Sequence, residues 1–317
     1  MDMEQWYDGE NMKILCSDEN CTVYQIKDKT GEGLMTMYPV FEGCFILFND
    51  FHLEKCCSGF APKADLFCID HCREGRIEWQ KNANKYTYVS AGDMQVDCRT
   101  DHSGNFFFPL GHYHGVTISI DLGYTDNGRL KMMDDFIVDL NKLKQKFCPK
   151  EQHFIMRASS QIDRIFAELY DLPENIRKTY FKIKIMELFL FLENLDVPEG
   201  GEERSYFYKT QVDKVKEMVR LQTEDLTRWY TLEELSKKFE FPLTGMKQCF
   251  KGIYGCSMAD YMKTYRMNAA AEMLYNTDKT VIEIASSVGY ENPGKFAGVF
   301  KSKMGMTPSA YRNTLTK

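Results

Sequence analysis

Two histidines, His112 and His114, stand one residue apart just before the run Gly115-Val116-Thr117-Ile118. On a strand, alternate residues share a face, so both imidazoles point to one side. Such a pair can hold a transition metal when a carboxylate and a third histidine complete the set. Here no acidic residue follows before Asp121, and no third histidine stands at matched spacing. The plainer reading is a pair of edge or surface histidines, so neither a metal nor a cofactor is assigned. His71 and Cys72 are adjacent and would face opposite sides of a strand. Cys56-Cys57 has only Lys55 beside it to stabilise a thiolate. Trp79, Tyr86 and Tyr88 offer aromatic walls for a small ligand, although strand aromatics more often fill a core. No nucleophile elbow, phosphate-binding glycine loop or paired-carboxylate motif occurs, and the expectation is that the chain is not an enzyme.

A second chemistry lies near the C-terminus, where Lys295 and Lys301 follow a turn and suit contact with phosphate. The elements that position them are legible. Thr280 and Glu283 have capping-box spacing, Gly289 stops the first helix, and Asn292-Pro293 opens a second. Phe296, Val299, Phe300 and Met304 give that second helix one apolar stripe. Two short helices around a glycine turn make a helix-turn-helix. The pattern occurs twice. Thr231 and Glu234 repeat the capping box 49 residues earlier, and at an offset of 50 Met246, Phe250-Lys251, Gly255 and Tyr261 answer Phe296, Phe300-Lys301, Gly305 and Tyr311. This is an internal duplication, with helix-turn-helix units at 231–251 and 280–303.

The 317 residues suffice for two domains. No apolar run approaches the roughly 20 residues of a membrane span, and the acidic, polar start MDMEQWYDGENMK is unlike a signal peptide, so a cytoplasmic location is expected. Eleven cysteines, an odd number with no CxxC pair, read as reduced thiols. The net charge of −6 hides an asymmetry: from Ser205 onward there are 17 Lys and Arg against 12 Asp and Glu, leaving −11 on the first 204 residues. A basic C-terminal third is compatible with nucleic acid, and the acidic remainder would repel it.

Residues 1–125 alternate short β-branched and aromatic runs with breakers such as Gly31/Gly33, Gly59/Pro62 and Gly92, the pattern of an antiparallel sandwich or barrel. Arg73-Glu74-Gly75-Arg76 is expected to turn a hairpin between LFCIDHC and IEWQ. Residues 126–196 are expected to be helical, with a helix across Leu130–Phe147, another around Ile162–Leu169, and a third at Ile176–Leu195. The last carries Phe181, Ile185, Leu188, Phe189 and Leu192 on one face and Ile183, Met186, Leu190 and Phe191 beyond it. A helix so broadly apolar needs cover on two sides, which its own domain or a homodimer through the Phe181–Leu195 helix would give. Val197-Pro198-Glu199-Gly200-Gly201-Glu202-Glu203-Arg204 marks a linker at 197–205, followed by a C-terminal domain at 206–317.

Between the two helix-turn-helix units, Ser257 to about Asn276 has no breaker. Twenty helical residues span about 30 Å, close to the roughly 34 Å between successive major grooves on one face of DNA. With IASSVGY at 284–290, Phe296, Phe300-Lys301, Gly305, Thr307-Pro308 and Tyr311-Arg312, and upstream Phe250-Lys251, Gly255, Tyr261, Arg266, Ala270 and Leu274, residues 210–317 resemble the DNA-binding domain of the arabinose-regulator (AraC/XylS) family. The resemblance implies a cupin-like N-terminal sensor barrel followed by dimerising helices, hence an α+β chain with an all-α C-terminal domain. It implies that Thr244, Gly245, Lys247, Gln248 and Lys251 of the first reading helix face DNA, as do Asn292, Gly294, Lys295 and Gly298 of the second, with Lys301 near phosphate. Gln248 and Asn292 suit adenine edges; Lys247 and Lys295 suit guanine or phosphate. Phe250, Phe296, Phe300, Tyr290 and Tyr311 fall to the core, and Arg266 to a phosphate or an internal carboxylate. Two positions depart from the family. Pro242 stands where a serine usually caps the first reading helix, and Gly294 and Gly298 remove side chains from the second.

The expected function is a sequence-specific transcription regulator that binds double-stranded DNA and answers a small-molecule effector, with Trp79, Tyr86 and Tyr88 as ligand-lining candidates. The alternative is a cupin-type metal-binding sensor or enzyme with an accessory helical domain, resting on His112 and His114.

Overall fold

Strand β4 (Cys44–His52) reads CFILFNDFH, apolar at nearly every position of its first half. Such a run suits a strand buried on both faces. The computed structural model, which describes residues 12–57, 65–99, 105–133, 135–149, 154–170, 172–197 and 206–315, shows this arrangement. Ile46 points into one core and Phe45 and Leu47 into another, on opposite faces of one sheet.

That sheet is antiparallel. Strands β1 (Met12–Ser17), β2 (Thr22–Asp28), β3 (Gly31–Phe41) and β4 follow in order. Then β4 is joined by β10 (Tyr113–Asp121), and β10 by β6 (Leu66–Asn82). Strand β8 (Met94–Arg99) pairs with the first half of β6, and β13 (Phe154–Met156) pairs with β8. The short β5 (Lys55–Cys57) pairs with β9 (Asn105–Phe107), and β7 (Lys85–Ser90) neighbours β6.

Helices cover one face. They are α1 (Leu140–Phe147), α2 (Ser160–Ala167) and α3 (Glu174–Asn194). Phe147, Phe166, Phe181, Leu188 and Phe189 from these helices bury against Ile46, Ile69, Val96, Val116 and Ile118 of the sheet. Only half of α3 is consumed in this way: Ile183 and Leu190 are about half exposed.

Three expectations for this region need correction. Arg73–Arg76 is no hairpin. It lies inside β6, where β10 shifts register between His114 and Gly115 and Gly75 takes φ +84°. A Cβ on Gly75 would come within 2.2 Å of the His112 carbonyl oxygen, so glycine lets the chain continue as a bulge rather than turn back. Leu130–Phe147 is no single helix. It begins as a hairpin, β11 (Arg129–Met133) and β12 (Phe136–Asp139), and becomes helical only after Asp139 accepts from the Lys142 N–H as N-cap. Leu130, Met132 and Val138 are buried while Lys131 is not, a period of two that a helical reading of the same apolar residues overlooks. Gly33 does not interrupt a strand but pairs with Ile26 of β2 and Phe51 of β4 inside β3, and Gly31, opposite Asp28 of β2, opens that strand. Of the linker expected at 197–205, residues 198–205 lie outside the described residues, as do the side chains of Cys56 and Cys57.

The chain divides into two units, Met1–Lys81 with Thr87–Tyr206, and Asn82–Tyr86 with Phe207–Lys317. Apart from the two-residue β14 (Phe207–Tyr208) the second is helical from Lys209 on: α4 (Lys209–Glu224), α5 (Leu232–Lys238), α6 (Leu243–Tyr254), α7 (Met258–Asn276), α8 (Val281–Ser287), α9 (Pro293–Met304) and α10 (Pro308–Leu315). Its duplication is structural as well as sequential. The pairs α5–α6 and α8–α9 each have a helix of 7 residues followed by one of 12. Both long members end at a glycine with φ +78°, Gly255 and Gly305. Gly252 lies within α6. Among the described residues no helix is long and apolar enough to cross a membrane.

Candidate nucleic-acid interface

Each helix pair starts from the same cap. Thr231 Oγ1 accepts from the Glu234 N–H at 3.1 Å while the Glu234 carboxylate accepts from the Thr231 N–H at 2.7 Å. Thr280 and Glu283 repeat this at 3.2 and 2.7 Å. The donated backbone N–H groups hold both carboxyls below their usual range, so the boxes stay charged and closed at neutral pH.

The second member of each pair is split lengthwise. On α6, Met246, Cys249, Phe250 and Ile253 are buried, whereas Thr244, Lys247, Gln248 and Lys251 are exposed. Gly245 is half-buried, its missing Cβ leaving room for the Phe241 ring at 3.1 Å. On α9, Phe296 and Phe300 are fully buried, whereas Asn292, Gly294, Lys295, Gly298 and Lys301 are exposed. Apolar residues thus dock each helix and leave its polar and basic side to solvent. Lys303 in the last turn of α9 extends that exposed basic side and was passed over in the sequence. Of the aromatic residues assigned to the core, Phe250, Tyr290, Phe296 and Phe300 are buried and Tyr311 is half-buried.

The two departures have distinct outcomes. Pro242 is the N-cap of α6 and supplies no side-chain bond, yet the helix still begins at Leu243, because its fixed φ of −54° suits a helix entry. Asn292 caps α9: its Oδ1 accepts from the Lys295 N–H at 2.9 Å. That oxygen is committed to the helix, and the amide NH2 is the group left to meet a base.

The connecting α7 has 19 residues, about 28 Å at 1.5 Å per residue. Arg266, in its middle, is 1% exposed and turns to the interior of the unit. Its Nε donates to the Leu226 carbonyl at 3.1 Å and its Nη2 to the Arg228 carbonyl at 2.9 Å. These carbonyls belong to the loop between α4 and α5, whose Trp229 donates from Nε1 to the Gly289 carbonyl in the turn between α8 and α9 at 2.7 Å. Gly289 has φ +81°, and a Cβ there would sit 2.4 Å from the Leu226 oxygen. One loop therefore ties the connecting helix to the second turn. Trp229 escaped the sequence reading because its partners lie far off in the chain; its sole signal was a tryptophan in a short polar loop before a capping box.

Tyr86 and Tyr88 alternate on β7 and so share one face of that strand. Tyr88 donates from its hydroxyl to Glu78 at 2.7 Å, and Trp79, next along β6, points to the opposite face beside Phe106. Tyr86 belongs to the second unit. The polar interior of the first unit lies elsewhere. Arg99 bridges Asp70 and Asp97, Thr117 donates to Asp70 at 2.6 Å, and Gln95 donates to Asp97 at 3.2 Å. Burial works against charge on Arg99, but the two carboxylates hold its pKa well above the usual value. His71 is also buried, stacked on Phe166 with ring centroids 4.3 Å apart, while Cys72 joins the opposite core.

Residues 235–314 match the family model of a helix-turn-helix domain. The chain is similar to the lactose operon transcription activator of Staphylococcus xylosus, with 27% identity over 245 residues, 73% of this chain and 78% of that protein. It is 33% identical over 101 residues to the bifunctional transcriptional activator/DNA repair enzyme AdaA of Bacillus subtilis (strain 168), covering 32% of this chain and 46% of that protein. Of four such relatives, AdaA included, the chain spans between 19% and 46% of their length. Among solved structures, the DNA-binding domain of AdpA in complex with a target DNA is similar at 25% identity and a TM-score of 0.31, covering 32% of this chain and 91% of that one.

Proposed function

We propose that this chain is a sequence-specific, DNA-binding transcription regulator of the arabinose-regulator type, which answers a small molecule through its first unit. The observation that carries the reading is the pair of matching helix-turn-helix units, 7 and 12 residues each time, joined by a 19-residue helix. A spacer of about 28 Å suits reading helices set in successive major grooves. The match of residues 235–314 to a helix-turn-helix domain and the transcription activators among the relatives support it.

In this reading Thr244, Gly245, Lys247, Gln248 and Lys251 of α6 and Asn292, Gly294, Lys295 and Gly298 of α9 face the duplex, with Lys301 on phosphate. Gln248, which keeps both ends of its amide, is the better adenine reader. Asn292, whose Oδ1 is engaged by the Lys295 N–H, offers its amide NH2 and suits an acceptor such as a purine N7.

Residues 1–125 would form the cupin-like sensor, 126–196 the region that pairs two copies through the Phe181–Leu195 helix, 197–205 the linker, and 206–317 the reading head. The half-exposed Ile183 and Leu190 of α3 support that pairing. Trp79, Tyr86 and Tyr88 are the candidate effector-lining residues of this reading. The reading assigns the chain no reaction and places it in the cytoplasm with its DNA.

The test is footprinting of the full-length protein on genomic fragments. Protection of two major-groove segments centred about one helical turn apart supports the reading. Protection of a single segment, or of none, contradicts it.

A further inference from the structure

The sheet brings together what the sequence kept apart. In the register of β4 and β10, His114 lies directly opposite Asp50 and Tyr113 opposite Phe51. His52 is two residues from Asp50, so Asp50, His52 and His114 share one face, opposite the buried Phe51 and Tyr113. The carboxylate that His114 lacked along its own strand comes from the neighbouring one.

The three side chains converge. Nε2 of His52 and Nε2 of His114 each lie 2.9 Å from Oδ1 of Asp50. All three atoms fall within 4.8 Å of one another. His114 Nε2 is buried and has no hydrogen-bond partner: it is close to the carboxylate oxygen without the alignment a hydrogen bond requires. Two imidazoles and one carboxylate are the donor set of a late first-row divalent ion, since a hard ion such as Mg2+ prefers oxygen throughout.

We propose that Asp50, His52 and His114 form a three-ligand site for a divalent transition-metal ion of the Zn2+ class, on the outer face of the first unit's sheet. The geometry fits such an ion. With bonds of about 2.0–2.1 Å in tetrahedral array, ligand atoms lie about 3.3 Å apart and imidazole centroids about 5.2 Å apart. The rings of His52 and His114 are 5.1 Å apart and nearly perpendicular. The 2.9 Å contacts need to open by only about 0.4 Å to admit the ion. Asp50 and His52 are mostly exposed, so an ion can enter from solvent. The fourth position falls to water or to His112, whose ring lies 6.2 Å from that of His114. His112 Nδ1 is 3.2 Å from the Leu110 carbonyl oxygen, an arrangement that would leave Nε2 with its lone pair outward. Paired strands hold Asp50 and His114 in register with or without the ion, which reduces the ordering cost of binding.

The experiment is Co2+ titration of the full-length, chelator-treated protein, followed by visible absorption. Cobalt reports its ligands: tetrahedral N/O ligation gives d–d bands, and thiolate ligation adds an intense charge-transfer band. The site predicts one equivalent bound with no thiolate band, displaced by Zn2+. It also predicts that H52A, H114A and D50N each bind at least about tenfold more weakly. D50N keeps the shape of the side chain, so a fold intact by circular dichroism with metal lost isolates ligation. No bound cobalt in the wild type, a thiolate spectrum, or undiminished binding in H52A and H114A would overturn the site. DNA binding plays no part in the readout, so the site and the regulatory reading stand or fall separately.

Discussion

The guanidinium of Arg266 lies 3.9 Å from the centroid of the Trp229 ring, over its face, in the middle of the helical unit. Trp229 in turn meets Tyr290 edge-on at 5.7 Å and reaches the Gly289 carbonyl. An arginine that sequence reasoning offered to phosphate is thus a structural rivet. It donates to two loop carbonyls and stacks on the residue that grips the second helix-turn-helix. Arg266→Met should destabilise the unit by about 3 kcal/mol, because two hydrogen bonds from a charged, buried donor are lost. Chemical denaturation would measure this. The salt dependence of DNA binding should stay the same, since no phosphate contact is lost. A shallower salt slope with unchanged stability would show that Arg266 meets DNA instead.

Gly298 separates stability from recognition. It sits within α9, exposed, with no atom within 4 Å of where a Cβ would lie. Gly298→Ala should therefore raise stability by about 0.5–1 kcal/mol through helix propensity alone. If the bare backbone is there to let DNA approach, the same substitution should weaken operator binding roughly fivefold, about 1 kcal/mol. Paired melting and binding measurements decide. A stabilised variant that binds DNA as well as the wild type would remove Gly298 from the interface.

His71 gives the first unit a pH dependence of definite sign. Burial against Phe166 lowers its pKa from 6.5 to about 4, and neither ring nitrogen has a hydrogen-bond partner. Between these values the unfolded chain binds the proton and the folded chain does not. The contribution to stability is therefore complete above about pH 6.5 and is lost as pH falls towards 4. The loss amounts to about 2 kcal/mol by pH 5. Urea unfolding of the wild type and of His71→Leu at pH 7.5 and pH 5 would isolate it: the variant should lose less stability on acidification. Equal losses would mean that His71 is not buried as a neutral ring.

What the sequence disclosed, it disclosed through local rules. Capping boxes at Thr231 and Thr280, left-handed glycines at Gly255 and Gly305, and apolar spacing around Phe250 and Phe300 act within one or two helical turns, and the helices follow them. Relationships set by strand pairing were illegible. Asp50 and His114 are 64 residues apart and meet only because β4 pairs β10. The Leu130–Phe147 stretch misled because Met132, Phe136, Leu140 and Leu143 have spacing a helix would accept, while the burial of Leu130, Met132 and Val138 follows a strand. Gly75 misled in the other direction, since a glycine between two strand-like runs reads as a turn when it is a bulge. The candidate DNA contacts lay between these cases. Helical spacing alone separates Lys247, Lys251, Lys295 and Lys301 from the buried positions, but the capping role of Asn292 Oδ1 needed coordinates.

The most direct test is the slope of log Kobs against log salt for the full-length protein on duplex DNA carrying its footprinted site. Lys247, Lys251, Lys295 and Lys301 are exposed on the two reading helices. Each that neutralises a phosphate adds about 0.9 to the slope. Replacing all four by glutamine should flatten the slope by about 3 to 4 and weaken binding steeply at low salt. A wild-type affinity insensitive to salt, or a quadruple variant with the wild-type slope, would contradict the assignment of α6 and α9 as the helices that meet DNA.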